Sequence, residues 1–208
     1  MSERRSAYTW LPETPLVLAS RSRIRQTLLV AAGIPVDIYP ADIDERALES
    51  RAAQQSPGHV AALLAREKAS VIARAHPHRF VLGADQVLAL GDERLSKPAD
   101  RTAARAQLAK LRGRTHELHS AIAFVEDATV IFEHVSVARL TMRTFTDRFL
   151  DEYLEAAGDD VCLSIGAYQL EGLGVQLFER VEGDYFTVLG LPLLEALAFL
   201  RRHGCLAS

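Results

Sequence analysis

Residues 16–33, LVLASRSRIRQTLLVAAG, predict how the fold begins. The first five residues, LVLAS, form a short apolar run that is typical of a buried strand. Ser22 is a good cap for the helix that follows, and Gly33 is placed to end it. Ile24 and Leu28 lie on one face of that helix. The stretch therefore predicts a buried strand that leads directly into an amphipathic helix.

Three arginines, Arg21, Arg23 and Arg25, lie at this predicted helix start. The first turn of a helix has free N–H groups and the positive end of the helix dipole, so arginines beside it favour a phosphate chain. The glycine spacing of a P-loop or a dinucleotide fingerprint is absent, and arginines on a first turn are often simply solvated. The charge and the helix geometry alone indicate an anion site.

The composition excludes several classes of protein. The chain has 208 residues, which allows one elongated α/β unit or two small lobes, and its net charge of −3 argues against a general nucleic-acid binder. No apolar stretch approaches the roughly 18 residues of a membrane span, and the start lacks the apolar middle of a signal peptide, so we expect a cytoplasmic protein. Cys162 and Cys205 have no metal-ligand spacing and are expected to be unpaired thiols.

The rest of the chain alternates between strand and helix patterns, which predicts a single α/β domain with a mixed central sheet and flanking helices. Residues 1–15 are expected to form a loose arm. RFVLGAD is expected to be a strand that stops in a turn, and QVLALGDERL a hairpin around Gly91 and Asp92. The other predicted strands cover residues 36–40, 115–126 and 129–143, and the other predicted helices cover residues 57–75, 101–112, 147–157 and 191–203.

Charged residues follow three of these elements, where ligands of open α/β sheets gather. ADIDE, residues 41–45, supplies three acids that suit a hard cation, although a helix cap or a solvated turn explains them equally well. Asp85 follows a buried strand, where an uncompensated carboxylate is costly. Lys97 is held extended by Pro98, and a hairpin separates it from Asp85. An acid that orients water beside a cation that holds phosphate is a plausible hydrolytic pair.

Two other kinds of site are not favoured. His116 and His119 lie three residues apart on a predicted strand, so they face opposite sides of the sheet and are unsuited to one zinc ion. We expect a structural role for both. No serine nucleophile elbow is present, and neither cysteine has a base nearby in the sequence.

A series of short motifs in a fixed order carries a resemblance to a known family. From about Leu16 to Gly204 the chain resembles the Maf family of nucleoside triphosphate pyrophosphatases, which implies an arm at residues 1–15 and a Maf-like domain at residues 16–204. It also implies an elongated, Maf/ITPase-like fold with two lobes around an active-site cleft. The motifs are LASRSRIR, IDE, REKA, GAD, the Lys97–Pro98 pair, GRTH, EGLG and GLPL.

The resemblance implies hydrolysis of a nucleoside triphosphate between its α and β phosphates, giving a monophosphate and pyrophosphate. It further implies a divalent cation, Mg²⁺ or Mn²⁺, and a homodimer, with no nucleic-acid or membrane partner. Because the family is associated with septum inhibition, a nucleotide-binding regulator of cell division with incidental hydrolysis is the alternative from another class.

The resemblance also implies roles for individual residues. Asp85 matches the proton acceptor that draws a proton from water, and Glu45 matches an acid that lies with Asp85 near the metal. Glu67 and Lys68 lie in the REKA run, whose function is less certain. The residues implied to be catalytic are Asp85, Lys97, Arg25 and Glu45, and those implied to bind the substrate are Ser20, Arg25, Lys68 and Lys97.

Three motif positions, at Gln86, Glu171 and Ile24, bear on the substrate. Gln86 and Glu171 stand where the branch that resembles dTTP/UTP pyrophosphatases has threonine and glutamine, and they are similar instead to the branch that handles 7-methyl-GTP. A carboxylate such as Glu171 favours the positive charge of 7-methylguanine. Ile24 stands where that branch often has a tryptophan, which would stack on the base. We expect 7-methyl-GTP as the substrate, with dTTP or UTP as the alternative and these three residues as the determinants.

Overall fold

The computed structural model describes residues 10–207. Within them the chain forms seven β-strands, seven α-helices and three short 3₁₀ turns. The strands are β1 (Leu16–Ala19), β2 (Val36–Ile38), β3 (Val81–Leu90), β4 (Glu93–Leu95), β5 (Thr115–Glu126), β6 (Thr129–Met142) and β7 (Phe178–Glu182). The helices are α1 (Arg23–Ala31), α2 (Glu45–Arg51), α3 (Pro57–Ala73), α4 (Arg101–Leu111), α5 (Asp147–Ala157), α6 (Tyr185–Val188) and α7 (Leu193–Arg202). The 3₁₀ turns are Gly158–Cys162, Ile165–Ala167 and Leu173–Leu177.

The strands form one mixed sheet in the order β2-β1-β3-β5-β6-β7, with β4 paired to β3. β1 runs parallel to both β2 and β3, whereas β3, β5, β6 and β7 pair antiparallel in turn. The predicted mixed sheet with flanking helices is therefore confirmed. Among residues 10–207, no helix combines the length and the apolar character that crossing a bilayer requires. Cys162 and Cys205 are unpaired, as expected.

Local signals in the sequence set the start of the main helices. Ser22 accepts a hydrogen bond from the Arg25 N–H and caps α1, and Gly33 follows that helix with a φ of 79°. Ser56 caps α3 in the same way, and Pro57 occupies its first position, where the missing N–H costs nothing. These boundaries agree with the predictions, because caps act within a few residues and need no tertiary partner.

Helices cover both faces of the sheet, and each face carries two buried apolar clusters. α3 packs on the first face through Val60 and Leu64. On the second face, one cluster joins β1, α1 and α7 around Leu82, and the other joins α4, α5 and the 3₁₀ segment (residues 158–177, which contain the three 3₁₀ turns) around Leu88. The two clusters are the two lobes that the resemblance implies, and the site described below lies between them.

Three predictions about the elements were wrong or incomplete. β3 does not stop in a turn after Asp85 but continues to Leu90, because β5 pairs with it as far as Ala89. ADIDE, expected to be a loop, ends in the first residue of α2, with Asp44 as the cap. α6, β7 and the 3₁₀ turns were not predicted. Elements of three to seven residues have little intrinsic stability, so tertiary contacts decide them.

Gly83 allows α3 to lie unusually close to β3. A Cβ atom at this position would lie 2.0 Å from the Ala65 carbonyl oxygen and 2.9 Å from the Ala69 Cβ. Real Cβ atoms do not approach backbone atoms so closely, so any larger residue would push the helix away from the strand. The glycine in the GAD motif is therefore a packing requirement, and it sets the distance between α3 and Asp85.

We expect Gly83→Ala to lower the free energy of unfolding by about 3 kcal/mol or more, because overpacking on this scale forces backbone movement. Urea unfolding measures the change. Gly58→Ala is the matched control, since a Cβ at Gly58 meets its nearest neighbours only at 3.4 Å and alanine favours a helix. Equal midpoints for wild type and Gly83→Ala would contradict the packing argument.

Candidate active site

The candidate site lies at a gap along one edge of β3. β1 pairs with this edge as far as Gly83, and β4 pairs with it only from Leu88. Among the described residues, no strand covers the edge between these points, where Asp85 and Gln86 lie. Successive side chains of a strand point to opposite faces, so Asp85 faces α3 and Gln86 faces the second side of the sheet. Both side chains therefore reach a single cleft around this edge.

The cleft has a volume of about 1460 Å³ and is bounded by β1, α1, α2, β4 and the 3₁₀ segment. This volume exceeds that of a typical small-molecule site, so the cleft has room for a large ligand. The cleft is lined by all the site residues predicted from the sequence: Ser20, Ile24, Arg25, Glu45, Lys68, Asp85, Gln86, Lys97 and Glu171. The structure thus brings together residues that are spread over most of the sequence.

Lys68 joins two of the predicted carboxylates. Its Nζ lies 2.5 Å from Asp85 Oδ1 and 2.9 Å from Glu45 Oε1. The side chains of Lys68 and Asp85 are each only 11% exposed, so this contact is largely shielded from water. Burial raises the pKa of Asp85 above its ordinary value, and the charges of Lys68 and Arg25 only partly offset that effect. A carboxylate with a raised pKa is suited to accept a proton near neutral pH.

Arg25 is fixed by three oxygen atoms of the protein. Nε donates to the Gly190 carbonyl, and Nη1 donates to the Ala84 carbonyl and to Ser20 Oγ, at 2.7, 2.7 and 3.2 Å. Within residues 10–207, Nη2 has no hydrogen-bond acceptor, so it keeps free donors. Arg25 therefore holds the two sides of the cleft together. By contrast, Arg21 and Arg23 are exposed, so the three arginines at the helix start are not equivalent.

Lys97 follows the β3–β4 hairpin, whose turn at Gly91 and Asp92 was predicted. The hairpin returns the chain to the cleft, and Lys97 then lies close enough to Asp85 to feel its charge. Burial lowers the pKa of Lys97 below its ordinary value, and the positive charges of Arg25 and Lys68 lower it further. Lys97 itself is exposed and lines the cleft, so its positive charge is well placed to attract an anionic ligand.

Gln86 is held by a polar network on the second face of the sheet. Its Nε2 lies 2.9 Å from Ser120 Oγ and 3.1 Å from the carbonyl oxygens of both Thr187 and Val188. Ser120 is fully buried and donates to the Thr187 carbonyl at 2.7 Å. The side chain of Gln86 thus ties the centre of the sheet to the turn that leads to Gly190.

The opposite wall of the cleft carries Glu171, which is exposed, in the segment between the second and third 3₁₀ turns. Tyr168 anchors this segment, because its hydroxyl lies 2.7 Å from Nε2 of the buried His116. His119 faces the other side of the sheet, where it contacts Glu117. The two histidines therefore lie on opposite faces and have structural partners, as the sequence predicted.

Sequence reasoning missed four charged residues of the cleft: Arg46, Glu49, Arg94 and Asp160. Glu49 lies one helical turn after Glu45 on α2, and its pKa is raised first by burial and then by the charges of Asp85 and Glu45. Arg94 donates to the carbonyl oxygens of Ala52 and Ala53, at the end of α2. The i,i+4 spacing of the glutamates was the available signal, and it becomes visible only once α2 is known to be a helix.

The donor set of the cleft fits a hard divalent cation that also binds substrate oxygens. Glu45 and Asp85 converge on one point, since both contact the same Lys68 nitrogen. Within residues 10–207, no group of three or more histidine, cysteine or acidic side chains is arranged to hold a metal by itself. Mg²⁺ commonly takes only one or two protein carboxylates and completes its shell with phosphate and water.

Comparison with known proteins identifies a matching family model and several similar proteins. A family model described as Maf-like protein matches residues 15–203. A nucleoside triphosphate pyrophosphatase of Rhodopseudomonas palustris is 54% identical over 198 residues, covering 95% of this chain and 98% of that protein. One of Bradyrhizobium diazoefficiens is 52% identical with the same coverage. A 7-methyl-GTP pyrophosphatase of Mesorhizobium japonicum is 48% identical over 193 residues, covering 92% of this chain and 97% of that protein.

The wall that carries Glu171 should lose stability in acid because of His116. Burial lowers the pKa of His116 from 6.5 to about 4, so between these values the unfolded chain binds a proton that the folded chain does not. The free energy of unfolding should therefore fall as the pH decreases, by about 2 kcal/mol from this group between about pH 7 and about pH 5.

Urea unfolding at the two pH values measures this loss. His116→Gln keeps a hydrogen-bonding group opposite Tyr168 but cannot titrate, so its stability should depend less on pH. His59→Gln, at an exposed position, is the matched control and should follow the wild type. Parallel profiles for wild type and His116→Gln would refute the assignment.

Proposed function

The chain belongs to the Maf-like protein family, and from that membership we propose that this nucleoside triphosphate pyrophosphatase acts on 7-methyl-GTP. Relatives with half or more of their residues identical, over nearly the whole chain, are named nucleoside triphosphate pyrophosphatases. The observation that carries the reaction is the shielded contact of Lys68 with Asp85, in a cleft that also holds Arg25 and Lys97. A poised carboxylate among cations is the arrangement that hydrolysis of a polyphosphate requires.

In the proposed reaction, Asp85 accepts a proton from the attacking water. Lys68 binds Asp85 Oδ1, while Oδ2 receives no hydrogen bond from the described residues and is free to orient water. Attack on the α phosphorus breaks the bond to the bridging oxygen between the α and β phosphates. The products are the nucleoside monophosphate and pyrophosphate.

The cations of the cleft stabilise the negative charge of the triphosphate. Lys97 supplies an ammonium group at the mouth of the cleft, and Arg25 supplies the free donors of Nη2. Because the three hydrogen bonds of Arg25 fix its guanidinium, little reorganisation is needed when the substrate binds. Ser20 supports this arrangement as an acceptor for Arg25.

A divalent cation, Mg²⁺ or Mn²⁺, completes the proposed site. Glu45 and Asp85 would hold it together with phosphate oxygens. When bound, such an ion acts as a Lewis acid and neutralises charge on the phosphates. Homodimer formation, which the family resemblance implies, stays a prediction.

The base side of the cleft supports 7-methyl-GTP. Glu171 is an acid on the wall opposite Gln86, and 7-methylguanine carries a delocalised positive charge that an acid attracts. The Mesorhizobium japonicum relative that is named a 7-methyl-GTP pyrophosphatase matches this chain over almost its full length. Ile24 supplies an apolar contact where an aromatic residue would stack.

We expect the purified protein to release pyrophosphate from 7-methyl-GTP with Mg²⁺ or Mn²⁺, and faster than from GTP, dTTP or UTP. Asp85→Asn should lower kcat/KM by about 10²- to 10⁴-fold, because it removes the proton acceptor. Asp92→Asn, at the exposed hairpin turn, is the control and should keep full activity. Retention of activity in Asp85→Asn would exclude the proposed base, and a preference for dTTP or UTP would exclude the proposed substrate.

The preference for 7-methyl-GTP over dTTP or UTP should depend on Gln86 and Glu171. The double variant Gln86→Thr with Glu171→Gln should shift the ratio of kcat/KM values away from 7-methyl-GTP and toward dTTP or UTP, because it removes the negative charge that attracts the methylated base. Glu179→Gln, an exposed change on β7, is the matched control. An unchanged ratio in the double variant would remove both residues from the specificity argument.

A further inference from the structure

Gln86 and Ser120 form a polar cross-strand pair at the boundary between the two lobes. They are register partners on β3 and β5, so their side chains lie side by side on the second face of the sheet. Leu82 belongs to the apolar cluster on one side of the pair and Leu88 to the cluster on the other. Ser120 has no exposed surface, whereas Gln86 lines the cleft. The pair therefore connects the interior of the sheet to the substrate site.

The amide of Gln86 has a defined orientation. Its nitrogen faces three acceptors, the Ser120 hydroxyl and the carbonyl oxygens of Thr187 and Val188, all within 3.1 Å. If the amide were rotated by half a turn, its oxygen would face two carbonyl oxygens that cannot donate. That arrangement would remove the hydrogen bond that Gln86 donates to the Val188 carbonyl. It would also bring the amide oxygen against the Thr187 carbonyl, which keeps the Ser120 hydroxyl and the Gly190 N–H as donors, so it is disfavoured.

Ser120 adds to the preference for this orientation. Its hydroxyl proton is donated to the Thr187 carbonyl at 2.7 Å, so the hydroxyl offers Gln86 only a lone pair. A rotated amide oxygen would find a donor on this side only if Ser120 withdrew its hydroxyl proton from the Thr187 carbonyl, which would then lose the shorter of these two hydrogen bonds and keep the Gly190 N–H. Gln86 Oε1 receives no hydrogen bond from the described residues, and it lies beside Gly190, which lines the cleft, since a Cβ atom at Gly190 would be 3.5 Å from it. The amide oxygen thus remains as an open acceptor toward the cleft.

We propose that Ser120 is a positioning residue that holds Gln86 with its carbonyl oxygen toward the cleft, so that the cleft selects bases that present an imino N–H. This inference rests on the proposed function, since it assumes that the base of a nucleotide lies against Gln86. Guanine and 7-methylguanine present N1–H, and uracil and thymine present N3–H. Adenine and cytosine present a lone pair at the corresponding position, which would face the oxygen of Gln86.

The same geometry accounts for a preference within the imino bases. Methylation at N7 gives guanine a positive charge, which makes N1–H a stronger donor to a neutral acceptor. The amide oxygen of Gln86 is fixed before binding, so little ordering cost is paid when this hydrogen bond forms. Glu171 attracts the charge of the base, whereas Gln86 recognises its hydrogen-bonding edge.

The first test needs no variant of the protein. The kcat/KM of the preferred nucleotide is compared with that of the same nucleotide methylated on its imino nitrogen, at N1 for a guanine or at N3 for a uracil or thymine. We expect methylation to lower kcat/KM about tenfold or more, because it removes the donor and leaves Oε1 unpaired. Equal turnover of the two nucleotides would overturn the proposal.

The second test concerns Ser120. Ser120→Ala should reduce the discrimination against the methylated nucleotide about threefold or more, mainly through KM, because the amide of Gln86 loses one of its three acceptors. Ser120→Thr, which keeps the hydroxyl, should restore the discrimination against the methylated nucleotide. Ser136→Ala is the matched control, since Ser136 lies opposite Ser120 on β6 but its hydroxyl lies 3.0 Å from Nε2 of His134 instead. Full discrimination in a folded Ser120→Ala would remove Ser120 from the proposal.

Calorimetry with the corresponding monophosphates separates this inference from the proposed function. Binding of a monophosphate and of its imino-methylated form reports on Gln86 without requiring hydrolysis. Selective binding without pyrophosphate release would reject the proposed reaction but support base selection. Pyrophosphate release with equal binding of the two monophosphates would support the proposed reaction but reject base selection by Gln86.

Discussion

The buried contact between Lys68 and Asp85 is the interaction on which the site depends. Taking two charges out of water is costly, and the cost is offset only when the pair is close and further groups complete it. Gly83 brings α3 against β3 and so makes that distance possible, and Glu45 supplies a second anion for the lysine. One packing constraint in the sheet thus sets the electrostatics of the whole cleft.

In the proposed function, β3 separates the residue that catalyses hydrolysis from the residue that recognises the base. Asp85 and Gln86 are consecutive, so the pleat of the strand directs one toward α3 and the other toward the turn before Gly190. The gap between β1 and β4 leaves the strand edge open at this point, and the two faces meet in a single cleft. Arg25 donates hydrogen bonds to both the Ala84 and the Gly190 carbonyls and so holds the two sides of the cleft together.

The features that could be predicted from the sequence are those that depend on neighbouring residues. Ser22 and Ser56 cap helices, and the turn at Gly91 and Asp92 sets a hairpin, which is why Asp85 and Lys97 could be placed together. The structure also gathers the residues implied by the family resemblance in one cleft, although their roles stay predictions. Ser120 could not be recognised, because a serine in a strand acquires its meaning only from its register partner and from a turn 67 residues further along the chain.

Gln86 and Glu171 differ in how much selectivity each can provide. Glu171 is exposed, so water and salt screen its attraction for a cationic base, and exposed pairs of charges contribute about 1 kcal/mol or less. Gln86 is held by buried partners, and an acceptor left without its donor in a closed site costs about 1 to 3 kcal/mol. The hydrogen-bonding edge of the base should therefore govern selection more strongly than its charge. The charge acts mainly by strengthening the hydrogen bond that the imino N–H of the base donates to Gln86.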